Sequence, residues 1–273
     1  MFLYLFVKPF KRGFFCDDTS IRYPYKDNTI TDYSLALLVL VPIIATIGGV
    51  ETYRYKKSRY TTRLYKSISQ ELYDKFVPFL FGILASLLCT FVAKVSVGRL
   101  RPYFHSICKP NIVCDATNAY KYIEDFECTG FKDSPSGAVD EINMSFMSGH
   151  SSLMAFSMVY LTIYLQKRMP ITQTSDSLIR AMIQGLAVNL AFFVGYTRIS
   201  DYWHHWSDVM IGLIQGTVAA ILTVLYLSDL CVGNPFNELY AKKDSNVASI
   251  ESNDNTRGNG NDFQIRLVQS IKI

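Results

Sequence analysis

The 273-residue chain has no Cys-x2-Cys pair and only four histidines, none spaced from a cysteine as in a zinc finger, so a structural zinc site is not expected. Its long apolar runs lack the polar stripe that a soluble helix turns to water, which disfavours an ordinary soluble bundle. Nor does charge point to nucleic acid, because the formal net charge is only +4 and the basic residues sit between apolar runs. What the chain does have is 49% hydrophobic residues, 14% aromatic residues and a mean hydropathy of +0.15, gathered in uninterrupted stretches. A chain of this kind has lipid as its outer solvent.

Five stretches have about the 20 residues that a membrane helix needs. They run from Tyr33 to Val50, Phe76 to Val97, Phe146 to Leu165, Leu178 to Thr197 and Val209 to Leu227. The expected fold is therefore an all-α polytopic membrane bundle, with a transmembrane domain over 33–232. Residues 1–32 are read as the remnant of an earlier helix followed by a non-cytosolic loop, and 233–273, rich in Asn, Ser, Asp and Gly, as a mostly disordered cytosolic tail. The connector from Glu51 to Lys75 carries Arg54, Lys56, Lys57, Arg59, Arg63, Lys66 and Lys75 against three acids, which assigns it to the cytosol. Alternation then sends Lys8 to Asp32, Gly98 to Ser145 and the connector around Arg198 to Ser207 to the opposite side. Cys108, Cys114 and Cys128 share one of those segments, and an oxidising compartment would link two of them, in a pairing that sequence leaves open. Cys89, inside an apolar run, is expected to be a small buried side chain.

The residues that do not belong in lipid converge on that opposite side. Lys94 and Arg101 are seven apart at the end of one span, a spacing that returns a helix to the same face, and Pro102 is expected to stop the helix there. Two cations on one face make an anion site, although interfacial snorkelling also accounts for Arg101. Ser148-Gly149-His150 opens the next span, where free backbone N–H groups can cradle a phosphate, or where Ser148 is simply an ordinary helix cap. His204 lies four residues before Asp208 and His205 three, so either imidazole could be oriented by that carboxylate and attack. A metal held by His150, a neighbouring histidine and Asp208 is the competing reading. Lys94, Arg101 and Arg198 oppose it, because three fixed cations repel a metal and attract a phosphoryl group.

Lys94-x6-Arg101-Pro102, Ser148-Gly149-His150 and Arg198-x5-His204-x3-Asp208 together resemble the three-part signature of the type-2 phosphatidate phosphatase superfamily. Met147 stands where the middle motif has proline. The stretches Arg12 to Tyr25 and Val194 to Tyr202 look like the lipid phosphate phosphatases within that superfamily. Such a resemblance implies a six-span bundle whose first helix is largely missing here. It also implies hydrolysis of phosphatidate, lysophosphatidate, sphingosine phosphate or ceramide phosphate through a phosphohistidine, without cofactor or metal, in phospholipid metabolism and lipid signalling. By the same resemblance His204 is the nucleophile and Asp208 its partner, His150 is the acid and base, and Lys94, Arg101, Ser148, Gly149 and Arg198 bind phosphate. The plasma membrane is the expected location, with the site extracellular or luminal. Self-association as a homo-oligomer stays open, as does glycosylation at the Asn143-Met144-Ser145 sequon. A phospholipid headgroup transferase and a non-catalytic lipid-binding member of the family are the alternatives.

Overall fold

A computed structural model describes residues 9–59, 67–115, 117–169, 171 and 173–230. The expected helix remnant at Met1 to Val7 and the tail from 233 onward lie outside the described residues. Five long helices dominate: α1 (Asp32–Arg59), α2 (Ile68–Val97), α5 (Gly149–Arg168), α6 (Thr174–Ser200) and α7 (Trp206–Tyr226). Lipid offers the backbone no hydrogen bonds, so apolar runs of this length must pair their own N–H and C=O groups as helix. Pro42 and Pro78 sit inside α1 and α2 without ending them.

Four of these helices, α1, α2, α6 and α7, are long and apolar enough to cross a membrane. The fifth expected span, α5, is not among them, and its position explains why. It packs against α1, α2, α6 and α7 and buries Met154, Phe156, Met158, Leu161 and Leu165 among them. Enclosed on several sides, α5 can carry polar side chains that its neighbours satisfy. Ser152 Oγ lies 2.9 Å from Ser86 Oγ, Tyr160 donates to the Lys75 carbonyl at 2.8 Å, and Tyr164 to Glu51 at 2.8 Å. The surrounding helices instead expose Leu37 and Ile44, Phe81 and Leu84, Met182 and Leu186, and Ile214 and Leu222. Cys89, expected to be buried, is exposed on α2 and unpaired, because it too falls on an outward face.

The tightest contact in the bundle is between α5 and α7. A Cβ at Gly212 would lie 2.6 Å from the Ser148 carbonyl oxygen, and one at Gly216 would lie 2.1 Å from that of Ser152. Two glycines four residues apart thus let the α7 backbone rest directly on α5, the small-residue packing that drives helix association where lipid offers no hydrophobic force.

The two ends of the bundle differ. At one end the connector residues Glu51 and Lys75 are not in a loop at all but buried in an ion network. Arg168 bridges Glu51 (3.0 Å) and Glu71 (2.6 Å), while Lys75 reaches Asp229 at 2.5 Å. This ties α1, α2 and α5 to the end of α7, and each buried charge has a partner, without which it would be strongly destabilising.

At the other end the segments before α1 and between α2 and α5 fold into a cap with its own apolar core of Phe14, Ile21, Leu100, Tyr103, Phe104, Ile107, Ile123, Ile142 and Trp203. Strands β1 (Phe14–Phe15) and β2 (Tyr122–Ile123) pair antiparallel, and the short helices α3 (Phe104–Cys108) and α4 (Ser136–Asp140) flank them. Cys108 bonds Cys128 within the expected loop, whereas Cys114 bonds Cys16, 98 residues away in the N-terminal segment. Loops of those lengths stabilise by about 3 and about 5 kcal/mol on a chain-entropy basis.

Replacing Gly216 by Ala should push α7 off α5 and cost roughly 1 to 3 kcal/mol. Gly185→Ala in α6, where a Cβ would meet nothing within 4 Å, should leave stability unchanged or raised. Thermal unfolding of the two variants in detergent checks the contrast.

Candidate active site

Helix α2 ends at Gly98, which adopts φ 59° and donates its N–H to the Lys94 carbonyl at 3.3 Å. Only glycine takes this left-handed turn freely, and a Cβ there would strike the Phe10 carbonyl oxygen at 2.1 Å. Lys94 and Arg101 are therefore not neighbours on one helical face, and Pro102 is not what stops the helix. Gly98 ends it four residues earlier, and Arg101 returns toward the bundle from the cap.

Arg101 is almost wholly buried. Its Nε donates to the Glu141 carbonyl (2.8 Å), Nη1 to the Trp203 carbonyl (3.1 Å) and Nη2 to the Met144 carbonyl (3.4 Å), and Nη2 also pairs with the Glu141 carboxylate. The guanidinium lies 4.8 Å from the centre of the Trp203 ring. Lys94, half-buried in the last turn of α2, makes no hydrogen bond or ion pair among the described residues.

Helix α5 begins with Ser148 as its cap, whose Oγ accepts from Ser151 N–H at 3.4 Å and from Ser151 Oγ at 2.9 Å. The Ser148 N–H donates to the Asp208 carbonyl at 3.1 Å, so the close α5–α7 packing joins the second and third motifs. A Cβ on Gly149 would make only ordinary contact with Thr90, 3.5 Å away. The His150 ring is held at Nε2 by the Ile30 carbonyl at 3.1 Å and lies 3.7 Å from Asp32.

Arg198, in the last turn of α6, is fully buried and pairs with Asn28 Oδ1 (2.7 Å) and Asp201 (3.3 Å). Asp201 in turn accepts from the Thr29 N–H and hydroxyl, both at 2.9 Å, while Trp203 donates to the Lys26 carbonyl at 2.8 Å. The N-terminal loop thereby pins the third motif. At the turn into α7, His204 Nδ1 is 2.6 Å from the Ser145 carbonyl oxygen and 4.0 Å from Asp208 Oδ2. Spacing had suggested a direct imidazole–carboxylate bond, but in the structure the carbonyl of Ser145 takes that place. Asp208 is instead held by Arg99 Nη1 (2.5 Å), the Ser145 hydroxyl (2.6 Å) and the His205 N–H (3.1 Å). His205 turns its ring the other way, to the Leu100 carbonyl at 3.1 Å, and lines a separate cavity beside Arg12 and Arg99.

Electrostatics set the protonation of these groups. Burial first, then the charges of Arg101 and Lys94, hold the His204 imidazole well below its ordinary pKa, so it is neutral at physiological pH. For Glu141 burial alone would raise the carboxyl, but Arg101 and Lys94 outweigh it and keep it ionised. The eight residues singled out by sequence lie together at this end of the bundle. Four others were missed. Ser145 and Arg99 hold His204 and Asp208, Glu141 pairs with Arg101, and Asp201 with Arg198. Asp201 stands three residues after Arg198 on the helix end and could have been found from that spacing; Glu141 and Ser145 carry no sequence signal of their role.

The PAP2 superfamily model matches residues 75–230, more than half of the chain and all three motifs. The chain belongs to the PAP2 superfamily. Among its relatives in that family, phospholipid phosphatase 1 of Rattus norvegicus is 40% identical over 89% of this chain and 84% of its own length. Phospholipid phosphatase 2 of Bos taurus is 40% identical over 83% of this chain and 77% of its own length. A Drosophila melanogaster relative whose name describes a phosphatidate phosphatase is 38% identical over 84% of this chain, which spans 65% of that relative. No solved structure matches the chain. With four helices among the described residues long and apolar enough to cross a membrane, this PAP2 protein is an integral membrane protein.

Arg99 acts on the site through Asp208. Arg99→Ala should lower kcat by roughly ten- to a hundredfold, the worth of a hydrogen bond to a charged group, with little change in KM. Steady-state kinetics in detergent micelles measure the split.

Proposed function

We propose that this PAP2 protein is a lipid phosphate phosphatase that hydrolyses phosphatidate and related lipid phosphates through a phosphohistidine at His204. One observation carries the reading. With Nδ1–H given to the Ser145 carbonyl, the neutral His204 ring keeps the lone pair of Nε2 free, near enough to Lys94 and Arg101 to feel both charges.

In the first step Nε2 attacks phosphorus, a P–N bond forms and the P–O bond to the lipid breaks. His150, which takes up a proton when the bound phosphoryl dianion offsets the cations beside it, donates that proton to the departing alkoxide, a contribution of about a hundred- to ten-thousandfold. In the second step water attacks phosphorus, His150 takes its proton, and the P–N bond breaks to release inorganic phosphate. Lys94, Arg101, Arg198 and the free N–H groups at the start of α5 hold the phosphoryl oxygens, whose charge is what a loose phosphoryl-transfer transition state most needs stabilised. Asp208, 4.0 Å from Nδ1, favours the positive charge that the ring acquires as the phosphohistidine forms. These cations do the work that a metal would otherwise do, so the reaction proceeds without one.

Two features support an extracellular or luminal site at the plasma membrane or an internal membrane. Both disulfides lie in the cap at the same end as the site, as suits an oxidising compartment. Of the basic residues that assign the connector to the cytosol, Arg54, Lys56 and Lys75 fall at the opposite end of α1 and α2 from the site. The substrates expected are phosphatidate, lysophosphatidate, sphingosine phosphate and ceramide phosphate, which share a phosphomonoester on a lipid alcohol.

Purified protein should release phosphate from these lipids with chelator present. Loss of activity in EDTA with recovery in magnesium, or transfer to a lipid alcohol in preference to water, would sink the reading.

His204→Ala should abolish both turnover and trapping of labelled phosphate on the protein, whereas His205→Ala, whose ring faces Leu100, should keep the intermediate. Trapping that persists in His204→Ala and vanishes in His205→Ala would move the nucleophile by one residue.

A further inference from the structure

One of the cations assigned to phosphate, Arg101, already holds a carboxylate in the resting protein. The Glu141 carboxylate pairs with Arg101, and the charge of Lys94 also acts on it. Among the described residues it is the one carboxylate that pairs with Lys94 or Arg101, and its side chain keeps 36% of its surface exposed.

Arg101 does not need this carboxylate to stay in place. Three main-chain carbonyls, of Glu141, Met144 and Trp203, already accept from its Nε, Nη2 and Nη1, and the Trp203 ring lies under its guanidinium. Glu141 is likewise anchored by its main chain, through its carbonyl to Arg101 Nε and to the Met144 N–H at 2.9 Å. Only its side chain is free to move, and that side chain borders solvent. A buried guanidinium beside a free lysine would be costly without a negative partner in the ligand-free state, and the carboxylate supplies one. A phosphoryl dianion bound by the same cations would meet that carboxylate at close range, where like charges repel strongly.

We infer that Glu141 is a displaceable counter-ion, which occupies the phosphate-facing side of Arg101 at rest, swings out when a phosphoryl group binds, and evicts inorganic phosphate by returning. This rests on the reading of Lys94 and Arg101 as phosphate ligands. The charge exchange keeps the site neutralised in both states, and it lowers affinity for the product as well as for the substrate. The benefit is release: an enzyme whose cations held phosphate with no competitor would be strongly inhibited by its own product.

The probe is inorganic phosphate, measured by thermal shift of the purified full chain and by its inhibition constant against phosphatidate. Glu141→Gln should bind phosphate about tenfold more tightly or better, because a charge-assisted bond no longer competes. Glu141→Asp keeps the charge but is too short to reach Arg101, and should tighten phosphate binding as well. Weaker phosphate binding in Glu141→Gln would make the residue an anchor of Arg101 and overturn the proposal. Tighter binding in Glu141→Gln with Glu141→Asp unchanged would reduce it to a through-space field and overturn it equally. If Glu141→Gln does not fold, Glu141→Asp alone decides between exchange and no exchange. Wild-type protein that shifts with phosphate yet leaves lipid phosphates intact would count against the proposed activity while leaving the counter-ion testable by thermal shift.

Discussion

The close approach of α5 and α7 at Gly212 and Gly216 governs the rest of the molecule. Because no side chain stands between the two backbones there, the cap of α5 and the first turn of α7 meet edge to edge, and the Ser148 N–H reaches the Asp208 carbonyl directly. That single contact sets Ser148, Gly149 and His150 against His204 and Asp208. Lipid cannot drive apolar helices together as water does, so the contact relies on surface fit, which even one added methyl group would spoil.

Around this pair the bundle separates its charges by end. Glu51, Glu71, Lys75, Arg168 and Asp229 neutralise one another at the end away from the site and tie four segments together. At the other end Lys94 makes no hydrogen bond or ion pair among the described residues, which leaves it available to the phosphoryl group of the proposed reaction. Asp201, Asp208 and Glu141 are each given to one arginine, Arg198, Arg99 and Arg101. The first two are deeply buried, whereas Glu141 borders solvent, and this difference is what allows one of the three pairs to open.

The cap completes the site. Its disulfides and small apolar core hold Ser145, Glu141 and the N-terminal loop over the helix ends, so that backbone carbonyls of Ile30 and Ser145 orient the two histidines. A backbone carbonyl is a fixed acceptor with no rotamer to lose. Its use for His204 leaves Asp208 to act on the ring through charge at 4.0 Å rather than by a direct bond.

Sequence alone determined the long helices, because runs of apolar residues in lipid have no other way to satisfy their backbone. It also determined which residue types gather at one end, since Lys94, Arg101, His150, Arg198, His204 and Asp208 alternate correctly across the spans. It did not determine that α5 is enclosed, because enclosure depends on which faces the other helices turn inward. Nor did it reveal the turn at Gly98, the Cys16–Cys114 bond or the carboxylate of Glu141 on Arg101. These depend on contacts between residues tens of positions apart, for which a linear pattern carries no period. Only the tertiary structure, by folding two polar loops into a cap, decided which carbonyl and which carboxylate each cation and imidazole would meet.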